Sequence, residues 1–228
     1  MSWAFVVLNW NGRDATLACL ESLPAGADVV VADNGSTDGS VAAVRAGFPA
    51  AAVVENGANL GFSGGSNAGI RAALERGADW VVLVNNDATL APDALTGLQT
   101  AAQRWPRAGV LAGKLLFPDG RVQWAGQRVG LLTGYSGRPR GFGRPDGPAY
   151  SRPGPVDRAV GAFMAVSRAA IEAAGLLDER LFAYVEDVDW SLRVRAAGFD
   201  CVFVPEARAW HAMTASTGGS ARSTHTVY

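Results

Sequence analysis

Trp80-Val81-Val82-Leu83-Val84-Asn85-Asn86-Asp87 decides the fold: an unbroken apolar run leads directly into two amides and a carboxylate. A continuous run of this length suits a strand buried on both faces, as in a parallel sheet, better than the alternation of a half-exposed one. Toward the N-terminus the pattern recurs. Residues 4–8 are uniformly apolar and end at Asn9, residues 29–32 end at Asp33, and residues 53–55 make a shorter third run. Helical patterns separate them at 14–23, from a Ser36 or Thr37 cap to about 46, and at about 66–76, with Gly47 and Gly77 as stops. Beyond Asp87, Pro92 opens another helix that reaches Arg104. This alternation predicts an α/β fold with a Rossmann-like, mostly parallel sheet flanked by helices. Ligands in such sheets bind past the carboxyl ends of strands, where Asn9, Asp33 and Asp87 all stand.

The second half reads differently. Residues 118–157 are rich in Gly, Pro and Arg and only weakly periodic, which points to a flexible flap or functional loop. Residues 161–166 return to strand, and 167–174 form a short helix stopped by Gly175. Residues 187–197 put Val188, Leu192 and Ala196 on one helical stripe, and 201–204 make a last strand closed by Pro205. From Thr214 the Ser/Thr/Gly-rich composition predicts a mobile tail.

Composition narrows the function classes. The 228 residues carry 20 basic and 21 acidic side chains, a net charge of −1 that excludes a non-specific electrostatic hold on nucleic acid or an anionic membrane. With 49% hydrophobic and 18% charged residues, the chain can bury a core and is not disordered. Its 28 glycines and 11 prolines follow no period, which rules out collagen-like and repeat architectures. Cys19 and Cys201 are far apart, so a disulfide framework and a Cys-rich zinc site are excluded and a reducing, cytoplasmic compartment is expected. No apolar run is long enough to span a bilayer, and residues 1–10 lack the basic start of a signal peptide.

Asp87 with Asn86 can bind a hydrated divalent cation through oxygen ligands, although Asn and Asp also simply end strands. Asp33 can accept hydrogen bonds from a ribose or base, or serve only a capping turn. Glu186, Asp187 and Asp189 crowd one helix start. Their repulsion raises at least one proton affinity, which suits a general base, while the helix dipole opposes the shift. Tyr184 and Trp190 flank them as stacking surfaces for a sugar. His211 lies past the last strand and completes a mixed N/O site for Mg²⁺ or Mn²⁺ if the fold brings it to Asp87. The stretch from Asn59 through Gly61 to Asn67 matches neither GxGxxG nor a P-loop, yet its glycines allow backbone to approach a diphosphate. Arg138, Arg140 and Arg144 are candidate phosphate clamps in the flap.

The motifs fall in one order: Val6-Val7-Leu8-Asn9-Trp10-Asn11; Asp33-Asn34-Gly35-Ser36-Thr37-Asp38; Asn59-Leu60-Gly61-Phe62 to Asn67; Leu83-Val84-Asn85-Asn86-Asp87; Gly161-Ala162-Phe163-Met164; Glu186-Asp187-Val188-Asp189; and Pro205 to His211. The series resembles family 2 glycosyltransferases of GT-A fold, especially the rhamnosyltransferase-like bacterial branch, over nearly the whole chain. The resemblance implies an inverting, metal-dependent transfer of a sugar from a nucleotide diphosphate sugar, of dTDP-rhamnose or UDP-hexose type. The hydroxyl acceptor would be a glycan or a lipid-linked molecule in cell-surface polysaccharide synthesis. By the same resemblance, Asp87 and His211 hold a Mg²⁺ or Mn²⁺ ion, Asp33 with Asn9 and Asn11 contacts the nucleoside, and Glu186-Asp187 is the acidic pair with Asp187 as base. Asn59, Gly61, Asn67 and Asn86 join the donor site, and Tyr184 and Trp190 the acceptor site. Residues 1–117 would form the donor half, 118–213 the acceptor half and 214–228 the tail. Asn85 stands where a second carboxylate is usual, so cation affinity would lean on the donor diphosphate. The branch commonly continues past residues 216–218 with segments that serve the acceptor and the membrane face. A sugar-phosphate nucleotidyltransferase and an inactive sugar-binding module are the competing readings.

Overall fold

The computed structural model describes residues 1–128 and 139–213. In chain order the described elements are β1 (Trp3–Asn9), α1 (Arg13–Glu21), β2 (Asp28–Asp33), α2 (Ser40–Gly47), β3 (Ala52–Glu55), α3 (Gly61–Glu75), β4 (Trp80–Asn85) and β5 (Ala88–Leu90). They continue with α4 (Ala94–Arg104), β6 (Ala108–Leu116), β7 (Val122–Trp124), β8 (Gly154–Val156), β9 (Phe163–Ser167), α5 (Arg168–Ala174), α6 (Glu186–Ala196) and β10 (Asp200–His211).

One sheet runs β3-β2-β1-β4-β9-β6-β10-β5, with β7 added to β6 and β8 to β10. The β3-β2-β1-β4 part is parallel throughout, as the apolar runs predict. The second part is mixed. β9 enters antiparallel between β4 and β6, and β6 and β10 then pair parallel. The parallel arrangement thus governs the N-terminal half more than the whole. Burial is deepest along the central strands: every residue of β6 and β9 is buried, and Phe5, Leu111, Phe163 and Phe203 are almost fully enclosed.

Several boundaries differ from the sequence expectation for physical reasons. α3 begins at Gly61 rather than near Ser66, so the Gly-rich stretch is helix, not loop. Its glycines are there because the helix lies hard against the sheet. A Cβ on Gly69 would come within 2.4 Å of Val6 Cγ1, and one on Gly65 within 2.4 Å of Leu8 Cδ1. Tertiary packing here overrides poor helix propensity. α2 starts at Ser40, and Ser36 does not cap it. On α6 the buried side chains are Glu186, Val188, Trp190, Ser191 and Val194, whereas Ala196 is exposed. β10 does not stop at Pro205. The strand passes through the proline by a register shift between Val204 and Arg208 against β6, which spares the missing N–H. That continuation is what delivers His211 to the site.

The described parts of the 118–157 stretch are not a free flap. β7 and β8 join the sheet, and residues 148–150 form a 3₁₀ turn. The sole lysine, Lys114, is buried on β6 and holds Asp146 at 2.9 Å, pinning the returning segment. Residues 129–138, with Arg138, and the tail from Thr214 lie outside the described residues.

Candidate active site

β1, β2 and β4 are in register and parallel, so the turns after their carboxyl ends share one sheet edge. An amide network fixes them. Asn9, buried at the end of β1, donates through Nδ2 to Asp33 Oδ1 at 2.8 Å and to Ser36 Oγ at 3.0 Å. Its Oδ1 accepts from Thr16 Oγ1 at 2.8 Å, from the Gly12 N–H at 3.2 Å and from Asn86 Nδ2 at 3.3 Å. Asn11, in the left-handed region at φ 50°, accepts the Thr37 N–H at 2.8 Å. Asp33 is buried, its second oxygen taking the Ser36 N–H.

Beside this network lies a cleft of about 460 Å³, whose wall includes neither Asn9 nor Asn11. Asn59, Gly61, Asn86, Tyr184, Glu186, Asp187 and His211 all contribute to its wall. From the turn after β2 it is Asn34, not Asp33, that lines it. Asn34 donates to the Gly61 carbonyl at 2.9 Å and to Asn59 Oδ1 at 3.2 Å, and accepts from Asn56. Gly65 has no room for a side chain because of this amide, 2.5 Å from where a Cβ would sit. Asn34 and Trp10, which also faces the cleft, carried no sequence signal of their own beyond lying between flagged neighbours.

Other expected contributors stand elsewhere. Asn67 is buried and clamps the chain at 177–179, bonding the Leu177 carbonyl and N–H and Glu179 Oε1, so it does not face the cleft. Trp190 is fully buried with its indole N–H on the Gly175 carbonyl at 2.7 Å, and offers no stacking surface; Tyr184, half-exposed, does. Arg140 lies over the Phe203 ring and donates to the Ala149 carbonyl.

On one wall, β5 turns back against β10 so that Ala88 pairs with His211. This places His211 Nε2 at 3.1 Å from Asp87 Oδ1 and 3.2 Å from Asn85 Nδ2. Asp87 itself is enclosed, its side chain 4% exposed behind the imidazole. Gln123 spans His211: its Nε2 donates to the His211 carbonyl at 3.2 Å, which turns its Oε1 onto Nδ1 at 2.7 Å. An oxygen can only accept, so the Gln123 contact puts a proton on Nδ1; Nε2 faces the Asp87 oxygen, which bonds it through a proton, whereas a cation between the two would take its lone pair. The donor set fits a hard divalent cation. A carboxylate oxygen and an imidazole nitrogen 3.1 Å apart match adjacent ligands of an octahedral ion, about 3 Å apart for bonds of roughly 2.1 Å. Among the described residues, no group of three or more His, Cys, Asp or Glu side chains is placed to hold a metal ion.

On the facing wall, α6 starts from two strained residues, Tyr184 at φ 70° and Val185 at φ 61°. Asp187 Oδ2 accepts the Gly161 N–H at 3.1 Å, and Oδ1 lies 3.7 Å from Arg158 Nη1. Burial pushes the Asp187 carboxyl up, opposed by Arg158 and by that N–H. Glu186 is pushed up to about 7, first by burial and then by the Asp187 charge, and its buried Oε2 has no hydrogen-bond partner among the described residues. The expected crowding of acids is therefore present, with desolvation the larger cause.

The family model described as Glycosyl transferase family 2 matches residues 4–173. The chain belongs to that family. An N-acetylglucosaminyl-diphospho-decaprenol L-rhamnosyltransferase of Mycobacterium tuberculosis is 37% identical over 208 residues, 83% of this chain and 68% of its own length, which places the chain in the rhamnosyltransferase-like branch. The fold is GT-A. Staphylococcus aureus TarS 1–349 superposes with a TM-score of 0.69 at 16% identity, over 93% of this chain and 60% of its own. A Pyrobaculum calidifontis mannosyltransferase solved with GDP-Man and Mn²⁺ gives 0.65 at 19% identity, over 95% of this chain and 58% of its own. The chain thus spans about three-fifths of these solved structures. No described helix is long and apolar enough to cross a membrane.

Proposed function

We propose that the chain transfers a sugar from a nucleotide diphosphate sugar to an acceptor hydroxyl with inversion, using a divalent cation. The single observation that carries this reading is the division of one cleft: a cation-type ligand pair behind one wall and a largely enclosed, basic carboxylate on the other. Asp87 and His211 would hold the cation, which when bound neutralises charge developing on the departing diphosphate. Asn34, Asn59 and the Gly61 backbone orient the donor, with Asn9 and Asp33 holding the loops behind them. Asp187 Oδ accepts the proton of the acceptor hydroxyl as that oxygen attacks the anomeric carbon from the side away from the diphosphate. Its raised proton affinity makes it a better base, while the Gly161 N–H keeps its carboxylate aimed. Tyr184 supplies a face for the acceptor sugar.

The similarity to the mycobacterial rhamnosyltransferase favours a deoxyhexose donor and a lipid-linked acceptor met at the inner membrane face, in cell-surface glycan synthesis. Calorimetry of the full chain with UDP, dTDP and GDP, each with and without Mn²⁺, tests the donor side. Metal-dependent diphosphate binding that disappears in Asp87→Ala is the expected result; binding unchanged by the substitution overturns the assignment.

A further inference from the structure

The segment from β7 to Gln127 faces both halves of the site from behind. Gln123 and Gln127 are each about 95% buried, four residues apart, and neither reaches the cleft wall. Gln123 grips His211 at two points, as described above. Gln127 Oε1 accepts two N–H groups of Arg158, from Nε at 3.0 Å and Nη2 at 2.6 Å, and the two residues form a backbone bridge. The third nitrogen of that guanidinium, Nη1, is the one beside Asp187. The backbone is held in turn: the Asp157 N–H donates to the Gln127 carbonyl, and Trp124 pairs with Leu115 of β6.

We propose that residues 123–127 act as a common positioning strut, Gln123 fixing which imidazole nitrogen of His211 faces Asp87 and Gln127, through Arg158, fixing the orientation and charge of Asp187. The inference rests on the reading of the two walls given under Proposed function and deepens it. The first arm follows from hydrogen-bond bookkeeping. A ring nitrogen can serve a cation only through its lone pair. Without Gln123, the favoured neutral tautomer puts the proton on Nε2, where it bonds Asp87 and closes the position to a cation. With Gln123 in place, the proton is held on Nδ1. The second arm is steric and electrostatic. A buried arginine fork bonded on one edge by Gln127 presents Nη1 in one place only. Among the described residues, the charged and titratable groups around Asp187 include Arg158 from the loop before β9, with the Asp157–Arg195 pair beside it, Glu186 on its own helix, His211 across the cleft, and the Tyr184 phenol at the rim. Arg158 is the cation that contacts it.

Nuclear magnetic resonance of the full chain, without metal or donor, separates the arms. The chain has two histidines, so the His211 ring nitrogens are assignable with a single His225→Gln control. Wild type is expected to show a protonated Nδ1. Gln123→Leu is expected to turn Nδ1 into an unprotonated nitrogen while the Asp187 side-chain carboxyl titrates as before. Arg158→Gln is expected to raise that Asp187 midpoint by about one unit or more while leaving the His211 nitrogens unchanged. Arg158→Lys, which keeps the charge but not the fork, should return most of the midpoint, and Gln127→Leu, milder for folding, should move it part of the way. Parallel changes at both sites in either variant mean general loosening and overturn the proposal, as do an unprotonated Nδ1 in wild type or an unmoved midpoint in Arg158→Gln. None of these readouts needs donor or cation, so failure of the proposed transfer activity shows separately in the calorimetry.

Discussion

Glu186 offers a test worked entirely from its surroundings. Its side chain is buried at the head of α6, one carboxylate oxygen lacks a hydrogen-bond partner among the described residues, and its proton affinity is raised from 4.5 to about 7 by burial and the neighbouring Asp187. Below about pH 4.5 the group is neutral in both folded and unfolded chains and costs nothing. Between 4.5 and 7 the unfolded chain loses the proton while the folded one retains it, so the folded state weakens as pH rises through this window. At 1.36 kcal/mol per unit, the penalty above pH 7 reaches about 3 kcal/mol. Glu186→Gln removes the charge and keeps the shape. It should therefore stabilise the chain at pH 8 by up to about 3 kcal/mol, equivalent to roughly 6–12 °C for a domain of this size. At pH 4.5 the two proteins should melt within about 1 °C of each other. Paired thermal melts in a pH series measure the difference directly, because all other carboxylates are common to both. A melting difference that is flat from pH 4.5 to 8 would refute the reasoning.

Other consequences concern packing and pairing. Gly65→Ala forces a Cβ to within 2.4 Å of Leu8 and 2.5 Å of the Asn34 oxygen, so it should cost about 1–3 kcal/mol in chemical denaturation and weaken nucleotide binding by displacing Asn34; unchanged affinity would remove Asn34 from the donor site. Asp146→Ala strands the buried Lys114 ammonium and should cost about 3 kcal/mol or more, whereas Lys114→Met leaves only a partly exposed carboxylate and should cost clearly less. Denaturation of the two variants side by side checks the order, and the reverse order would contradict the burial argument.

The parallel half of the sheet was legible because each of its strands is an apolar run ended by a polar turn, and those turns include Asn9, Asp33 and Asp87. What escaped has identifiable causes. β6 is buried along its whole length, yet its run 108–116 contains Gly109, Gly113 and Lys114, and Lys114 is tolerable there only because Asp146 returns to it from 32 residues away. Gly113 is required by the Phe163 ring, 2.2 Å from where a Cβ would sit, a contact no local pattern reveals. β10 was cut short because a proline ordinarily ends a ladder, and only the partner strand shows the irregularity that accommodates it. For the site, the acidic pair and His211 were readable as residue types. Trp190 was misplaced because an aromatic beside two acids looks the same in sequence whether it faces a ligand or the core. Gln123, Gln127 and Arg158 gave no signal at all, since their roles exist only through contacts that cross 29 to 88 residues of chain.

The most direct measurement is made on Asp187→Asn with donor, Mn²⁺ and acceptor: donor affinity by calorimetry beside the single-turnover rate of sugar transfer. With the carboxylate serving only as proton acceptor, affinity should stay within about twofold while the rate falls roughly 10²–10⁴-fold. A variant that transfers at the normal rate, or one that loses donor affinity in step with its rate, would contradict the division of labour between the two walls of the cleft.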